Sequence, residues 1–139
     1  MCVMLAAVVF VAVACGGPSG PVSAEEADAV LAKFSSGDLS QALDVTHPDV
    51  LEEEDLDVSR TSQEFADLAD YMEREGLKLV VNGDGVAVPS VSGTAVSFEL
   101  VEVARSARAP YDAAEVYSLG RVTMERVEGR VLIVGTSPS

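Results

Sequence analysis

The amino-acid sequence predicts an α+β fold, with N-terminal helices packed on one face of a curved antiparallel sheet of four to five strands. Up to residue 76, apolar side chains recur at the i, i+3, i+4 and i+7 spacing of amphipathic helices. From residue 77 onward they alternate with a period of two, which is typical of strands. Helices that all precede the strands are the pattern of an α+β domain.

An N-terminal segment precedes this domain and is predicted to direct export. The apolar run from Val3 to Ala14 has 12 residues, whereas a helix needs about 20 to cross the bilayer core. A signal-peptide core fits that length. The following Gly16 to Pro21 segment is a predicted tether, because its Gly, Ser and Pro content cannot support a packed core. The chain therefore divides into a signal peptide, a lipidated cysteine with its tether, and one domain, at residues 1–14, 15–22 and 23–139.

The end of the apolar run resembles the lipobox of bacterial lipoproteins. Small residues, Ala12, Val13 and Ala14, stand directly before Cys15. In that family a signal peptidase cuts before a cysteine that is thioether-linked to diacylglycerol. The resemblance implies that Cys15 is lipidated and that the protein is exported and anchored to the outer face of the cell membrane. The alternative is an ordinary secretory signal cleaved after Ala14 or Ala24.

Cysteine content and charge narrow the classes of function. Cys2 and Cys15 are the two cysteines of the chain, so the domain itself is predicted to lack disulfides. The net charge of −14 is uneven: residues 24 to 75 carry 16 acidic and 3 basic side chains, and residues 76 to 139 carry 7 and 6. Such a surface repels phosphate backbones, which argues against nucleic acid as a partner.

Capping patterns place the helices. Ser23 and Glu26 form a capping box ahead of an apolar face, and this first helix is predicted to end near Ser36 and Gly37. A shorter helix begins at Ser40 and stops by His47, because Pro48 disfavours helical geometry in the residue before it. A third helix is predicted from a second capping box to a glycine stop, at Thr61, Glu64 and Gly76.

The strand half begins with a predicted hairpin. Residues 77–81 and 86–88 are expected to pair across a turn at Asn82, Gly83, Asp84 and Gly85, since Asn and Gly favour positive φ. Longer strands follow at Thr94 to Ala104 and Glu115 to Val127, with bulges near Leu100 and Gly120 where the apolar face changes sides. A last strand runs from Arg130 to Val134.

Few residues suggest chemistry. His47 is the one histidine, and its place before Pro48 favours a loop or cap role over catalysis. The acidic cluster fits an EF-hand loop poorly, because Arg60 and Ala66 stand where glycine and glutamate are required. We expect no metal and no other cofactor. The cluster is instead predicted to be a solvated loop and a candidate interaction surface, formed by Glu52, Glu53, Glu54, Asp55 and Asp57.

The order of elements over residues 24 to 136 resembles the NTF2-like (SnoaL/ketosteroid-isomerase) superfamily. The resemblance rests on Gly37-Asp38-Leu39 after the first helix, on His47-Pro48-Asp49-Val50, and on the closing hairpin from Val122 to Val134. It implies a cone with a pocket between helix and sheet. Aromatic residues either line that pocket or fill the core, the candidates being Phe34, Phe65, Tyr71, Phe98 and Tyr117.

Three functions follow from these observations, and a noncatalytic binding or interaction module at the cell envelope is favoured. Its expected partners are the membrane, through the lipid anchor, and an envelope protein or a small apolar ligand. The second is a pocket enzyme, an isomerase or hydrolase, with Asp112 or Glu99 as general base. The third is a lipoprotein of a phage or mobile element that blocks an envelope partner.

Overall fold

The computed structural model describes residues 21–48, 50, 57–90 and 93–138. Within these ranges, three N-terminal helices pack against a four-stranded antiparallel sheet, which confirms the predicted α+β class. The elements are α1 (Ala24–Phe34), α2 (Leu39–Asp44), α3 (Val58–Glu75), β1 (Leu77–Ser90), β2 (Gly93–Ala104), β3 (Tyr117–Val127) and β4 (Arg130–Ser137), with a short 3-10 helix (Ala113–Glu115).

Side-chain caps fix the helix ends. The capping box of α1 forms as predicted, with the Ser23 hydroxyl and the Glu26 carboxylate each accepting a backbone N–H of the other residue. The predicted start of α3 at Thr61 is wrong. Asp57 caps α3 instead, because its carboxylate accepts the Arg60 N–H at 3.1 Å, and this adds a turn ahead of Thr61. Gly76 ends α3 in the left-handed conformation, as predicted.

The sheet is a meander in the order β1-β2-β3-β4. The predicted bulge near Leu100 is confirmed: Leu100 pairs with Gly120 while Val101 pairs with Ser118, so β3 contributes one extra residue. Opposite faces of β2 are buried on the two sides of this bulge. Phe98 packs in the main core with α1, and Val101 belongs to a second cluster with Val80.

The predicted hairpin turn at residues 82–85 is wrong, because β1 continues through it to Ser90. Asn82 pairs with Glu99 and Val86 with Ser97, so residues 83–85 oppose the single residue Phe98. A Cβ added at Gly85 would lie 2.8 Å from Cε1 of Phe98 and 2.1 Å from Cγ1 of Val96. The glycines therefore allow a bulge that brings the backbone onto a core side chain.

Helix α1 lies across the sheet and packs on both outer strands, β1 and β4. Its buried residues, Ala27, Val30 and Leu31, meet side chains from all four strands, including Val81, Phe98, Met124 and Ile133. The chain after α2 covers the outer edge of β4: the His47 N–H donates to the Ile133 carbonyl, and the Ile133 N–H donates to the Val45 carbonyl, both at 2.8 Å. Helix α1 therefore contacts both outer strands of the sheet.

Candidate functional site: a cleft along the edge of β1

A cleft of about 490 Å³ lies between α1, α3 and the first residues of β1. Helix α1 contributes Asp28 and Ala32, which are four residues apart on one side of the helix, and Ser35 and Ser36 follow directly after its last residue. The other lining residues are Ala69, Met72 and Glu73 of α3, Leu77 to Val80 of β1, and Arg105 and Tyr111 from the segment after β2.

The outer edge of β1 runs along this cleft. The Arg105 N–H donates to the Gly76 carbonyl at 2.7 Å, so these two residues take the position of a hydrogen-bonded pair next to Leu77 and Ala104, although the Gly76 N–H donates to the Glu73 carbonyl. Because such pairs alternate with non-hydrogen-bonded ones, residues 77, 79 and 81 direct their N–H and C=O groups away from β2.

Side chains form hydrogen bonds with the backbone at two positions along this edge. The Val81 N–H donates to Oδ1 of Asp28 at 2.9 Å. Nε and Nη2 of Arg105 donate to the Leu77 carbonyl at 3.3 and 3.2 Å. Leu79 lies between them, and its outward N–H and C=O have no hydrogen-bond partner within the described ranges. The cleft therefore presents one unpaired edge residue of a β-strand.

Asp28 is the half-buried carboxylate of the cleft wall. Burial raises the pKa of Asp28, and the Val81 N–H and the nearby Lys78 ammonium oppose that shift. Burial also raises the pKa of Tyr111, and the negative charge of Asp28 adds to the effect, so the phenol lies within electrostatic reach of the carboxylate. A partly desolvated carboxylate and a phenol thus face the same space.

The two cationic side chains of the cleft already donate to backbone carbonyls. Nζ of Lys78 donates to the Ala107 carbonyl at 3.0 Å, which ties the segment after β2 to β1. Arg105 donates to Leu77, as described above. By contrast, Asp28 accepts one hydrogen bond within the described chain, from Val81, and Glu73 is exposed. The cleft therefore carries two acidic and two basic side chains, and Asp28 is the half-buried acid among them.

A second, smaller depression of about 310 Å³ lies between α1, α2 and β4. Its charged groups are paired: the Arg130 guanidinium donates to the carbonyl and carboxylate of Asp44, and Nζ of Lys33 lies 3.8 Å from the same carboxylate. Glu26 borders it and forms a bidentate ion pair with Arg126 of β3, with both N–O distances 2.9 Å. The charged groups that border this second depression therefore join the helices to the sheet and to each other.

Most sequence-predicted site residues fall outside the described part of the chain. Cys15, Glu52, Glu53, Glu54 and Asp55 are outside the described residues, so lipidation and the acidic surface stay predictions. Asp57 is described, and it is the exposed N-cap of α3.

The residues considered for catalysis are not brought together. His47 is half-buried beside β4. Oε1 of Glu99 accepts a hydrogen bond from Nδ2 of Asn82 at 2.9 Å, and Asp112 lies at the start of the 3-10 helix. None of the three lines the cleft.

The predicted aromatic lining is also absent from the cleft. Phe34 and Phe65 form an edge-to-face pair with ring centroids 5.1 Å apart. Phe98 is 1% exposed and fills the core, which was the alternative interpretation. Tyr71 and Tyr117 do neither, because they are 40% and 63% exposed.

The sequence reasoning missed Asp28, Lys78 and Tyr111. One signal was present for Asp28: it follows Ala27 directly and so borders the buried face of α1. Lys78 was one of two lysines in the chain, and it interrupts the apolar start of β1. No local pattern distinguished Tyr111.

Two features are absent from the described ranges. No three His, Cys, Asp or Glu side chains there are grouped as a metal site. None of the helices in the described part of the chain is both long and apolar enough to span a bilayer.

Comparison of the chain with protein-family models, with curated proteins and with solved structures found no match.

Proposed function

We propose that this protein is an exported bacterial lipoprotein, held on the outer face of the cell membrane through Cys15, whose domain is a noncatalytic binding module. Its ligand occupies the cleft between α1, α3 and β1. One observation carries the binding function: a cleft of about 490 Å³ in which a half-buried carboxylate and an unpaired strand edge face the same space. Its volume is in the range typical of small-molecule sites, about 300 to 1,000 Å³.

The lining has the composition that small-ligand sites share. Apolar side chains such as Leu77 and Leu79 line the cleft together with the buried Met72, and polar groups are placed among them. Three of these polar groups come from different elements: Asp28 from α1, Glu73 from α3 and the Leu79 amide from β1. A ligand that bridges them would contact all three elements at once.

The hydrogen bonds of the cleft favour binding over turnover. The Ser35 hydroxyl donates to the Leu31 carbonyl at 2.7 Å, and no histidine or cysteine lines the described cleft beside it. A serine nucleophile requires a neighbouring base within hydrogen-bond reach. Lys78 is bonded to a backbone carbonyl, which suits a structural cation.

An enzyme is the second candidate, and Asp28 is the observation that favours it. A carboxyl group whose pKa is raised by burial, close to a phenol, has the properties of a general base or acid. Asp28 takes the place of Asp112 and Glu99, the general bases considered from the sequence, because both lie outside the cleft. Consumption of a bound ligand during prolonged incubation would favour the enzyme over the binding module.

Membership of the NTF2-like superfamily is part of the proposal. It is supported by the order of three helices and four antiparallel strands, and by a cleft formed jointly by helices and sheet.

Filling the cleft tests the binding function. Ala32 of α1 is exposed and lines the cleft, so Ala32→Trp should obstruct it without disturbing the core. Ala29→Trp is the matched control, because Ala29 is equally an exposed alanine of α1 but lies outside the cleft. The full chain, purified in detergent, would be screened by ligand-observed NMR against a set of small fragments.

We expect a subset of fragments to bind the native chain and the Ala29→Trp variant, and to lose binding to Ala32→Trp. Circular dichroism and melting temperature would establish that both variants fold. Equal fragment binding by Ala32→Trp and the native chain would overturn the assignment of the cleft.

A further inference from the structure

We infer that the cleft binds a short peptide in extended conformation, which pairs with the backbone of Leu79 and places a protonated amine against Asp28. The inference rests on the proposed binding function, because both use the same cleft. It adds the chemical class of the ligand: a peptide of about three residues with a basic side chain or a free amino terminus.

The free backbone groups at the edge of β1 are the reason to expect a peptide ligand. The outward N–H and C=O of Leu79 form a donor–acceptor pair with the spacing of a strand, and an extended peptide satisfies both at once. Main-chain hydrogen bonds of this kind supply affinity when an extended peptide adds to a sheet edge. A ligand without an amide backbone would satisfy at most part of this pair.

The two ends of the edge limit the length of the peptide. At one end the Asp28 carboxylate already accepts the Val81 N–H, and at the other the Arg105 guanidinium already donates to the Leu77 carbonyl. The intervening backbone spans about 13 Å at roughly 3.3 Å per residue. A peptide of about three residues fits this interval, whereas a long added strand would collide with one of the two side chains.

The carboxylates of the cleft are the reason to expect a basic peptide. Asp28 accepts one backbone hydrogen bond through Oδ1, and Glu73 presents a second carboxylate in the same cleft. Lys78 and Arg105 also line the cleft and keep their charges, but each donates to a backbone carbonyl, and within the described chain neither forms an ion pair with Asp28. A ligand ammonium group would offset the desolvation of Asp28 with a charge-assisted hydrogen bond. The net charge of −14 also attracts cationic ligands to the whole molecule.

The experiment compares defined peptides on the full chain in detergent. The probe is the tripeptide amide Lys-Val-Ala-NH₂, measured by isothermal titration calorimetry against two relatives: Glu-Val-Ala-NH₂ with an acetylated amino terminus, and the lysine peptide with both amines acetylated. A fourth peptide carries N-methyl groups on its backbone amides, which removes the donors that pair with Leu79. We expect the acidic and acetylated peptides to bind about tenfold more weakly or worse, and the N-methylated peptide to bind several-fold more weakly.

On the protein side, Asp28→Asn tests the carboxylate. The amide oxygen can still accept the Val81 N–H, so the variant should fold, and loss of the charge should weaken the lysine peptide about tenfold. Asp70→Asn is the matched control, because Asp70 is an exposed acid of α3 outside the cleft. Should Asp28→Asn fail to fold, the four peptides on the native chain decide the question alone.

The outcomes separate the two proposals. Equal affinity for the basic, acidic and acetylated peptides, or an Asp28→Asn variant that binds like Asp70→Asn, overturns the inference. Failure of every peptide on a chain that binds other fragments in the cleft also overturns it but leaves the binding function standing. Fragment binding unaffected by Ala32→Trp overturns the binding function itself.

Discussion

At the scale of single residues, two carboxylates of α1 have opposite environments. Glu26 faces the Arg126 guanidinium, whose hydrogen bonds are the largest cause of a pKa lowered to about 2. Asp28 meets a single backbone N–H, and burial raises its pKa. Glu26 therefore stabilises the fold in its charged form. Asp28 instead faces the cleft, and it is the carboxylate on which the proposed binding site depends.

The first prediction concerns Glu26→Gln. Because the folded pKa is about 2 and the ordinary value is 4.5, the ion pair contributes stability above pH 4.5 and loses it as the pH falls toward 2. The two side chains are 30% and 13% exposed, so screening is partial. We expect the substitution to lower the free energy of unfolding by about 1 to 3 kcal/mol at pH 7, and we expect this difference to vanish near pH 2.

Urea unfolding from pH 7 to pH 2 measures the effect. Glu25→Gln is the matched control, because Glu25 is an exposed acid in the same helical turn and should change stability by about 0.5 kcal/mol or less. A Glu26→Gln deficit that stays constant across the whole pH range would contradict the role of the ion pair.

The residue scale also shows the limit of sequence reasoning. The capping box of Ser23 and Glu26 could be predicted because the two residues are three positions apart, within one turn. The partners of the same helix in the sheet, Val81 for Asp28 and Arg126 for Glu26, are 53 and 100 positions away. No local pattern encodes such pairs, so the cleft could not be assigned before the fold was known.

At the scale of elements, the glycines of β1 illustrate how tertiary contacts override local preference. Asn82 to Gly85 has the composition of a tight turn, and in isolation that chemistry favours a hairpin. Phe98 of β2 lies opposite this segment, and the backbone at Gly85 covers its ring. By contrast, the bulge at Leu100 was predictable, because the buried face changes sides within the strand itself.

The second prediction is that Gly85→Ala destabilises the domain. The added Cβ would overlap Val96, which is buried, and the ring of Phe98. Overpacking of this kind costs about 1 to 3 kcal/mol. Gly135→Ala is the control: a Cβ there has no atom within 4 Å, so its expected change is about 0.5 kcal/mol or less. Thermal and urea unfolding of both variants measure the difference, and equal stabilities would show that β1 does not approach Phe98 this closely.

At the scale of the whole molecule, the acidic residues are concentrated in the helical half. Residues 24 to 75, which include α1, α2 and α3, hold 16 of the 23 acidic side chains, whereas the sheet half is nearly neutral. The order of periodicities was enough to predict helices packed on an antiparallel sheet, because each period is a local property. The packing of α1 on both outer strands depends on contacts between residues far apart in the sequence. It could not be predicted from those periods.

This charge distribution bears on how the protein is held at a membrane. An acidic domain is repelled by anionic headgroups, so the proposed attachment depends on the lipid of Cys15. A cysteine carrying diacylglycerol has two acyl chains, and two chains anchor stably where one gives only marginal binding. Attachment through acyl chains resists salt, whereas attachment through charge is weakened as salt shortens the screening length from about 10 Å at 0.1 M to about 3 Å at 1 M.

The third prediction follows from this argument. In a bacterial host the native chain should incorporate labelled palmitate, sediment with membranes and stay there through a 1 M salt wash, while Cys15→Ser should lose the label and be released or remain unprocessed. Cys2→Ser is the matched control, because Cys2 precedes the apolar run and should be removed with the signal. A Cys15→Ser variant that still sediments with membranes, together with a native chain that takes up no label, would contradict the anchor. The binding measurements on the cleft would be unaffected.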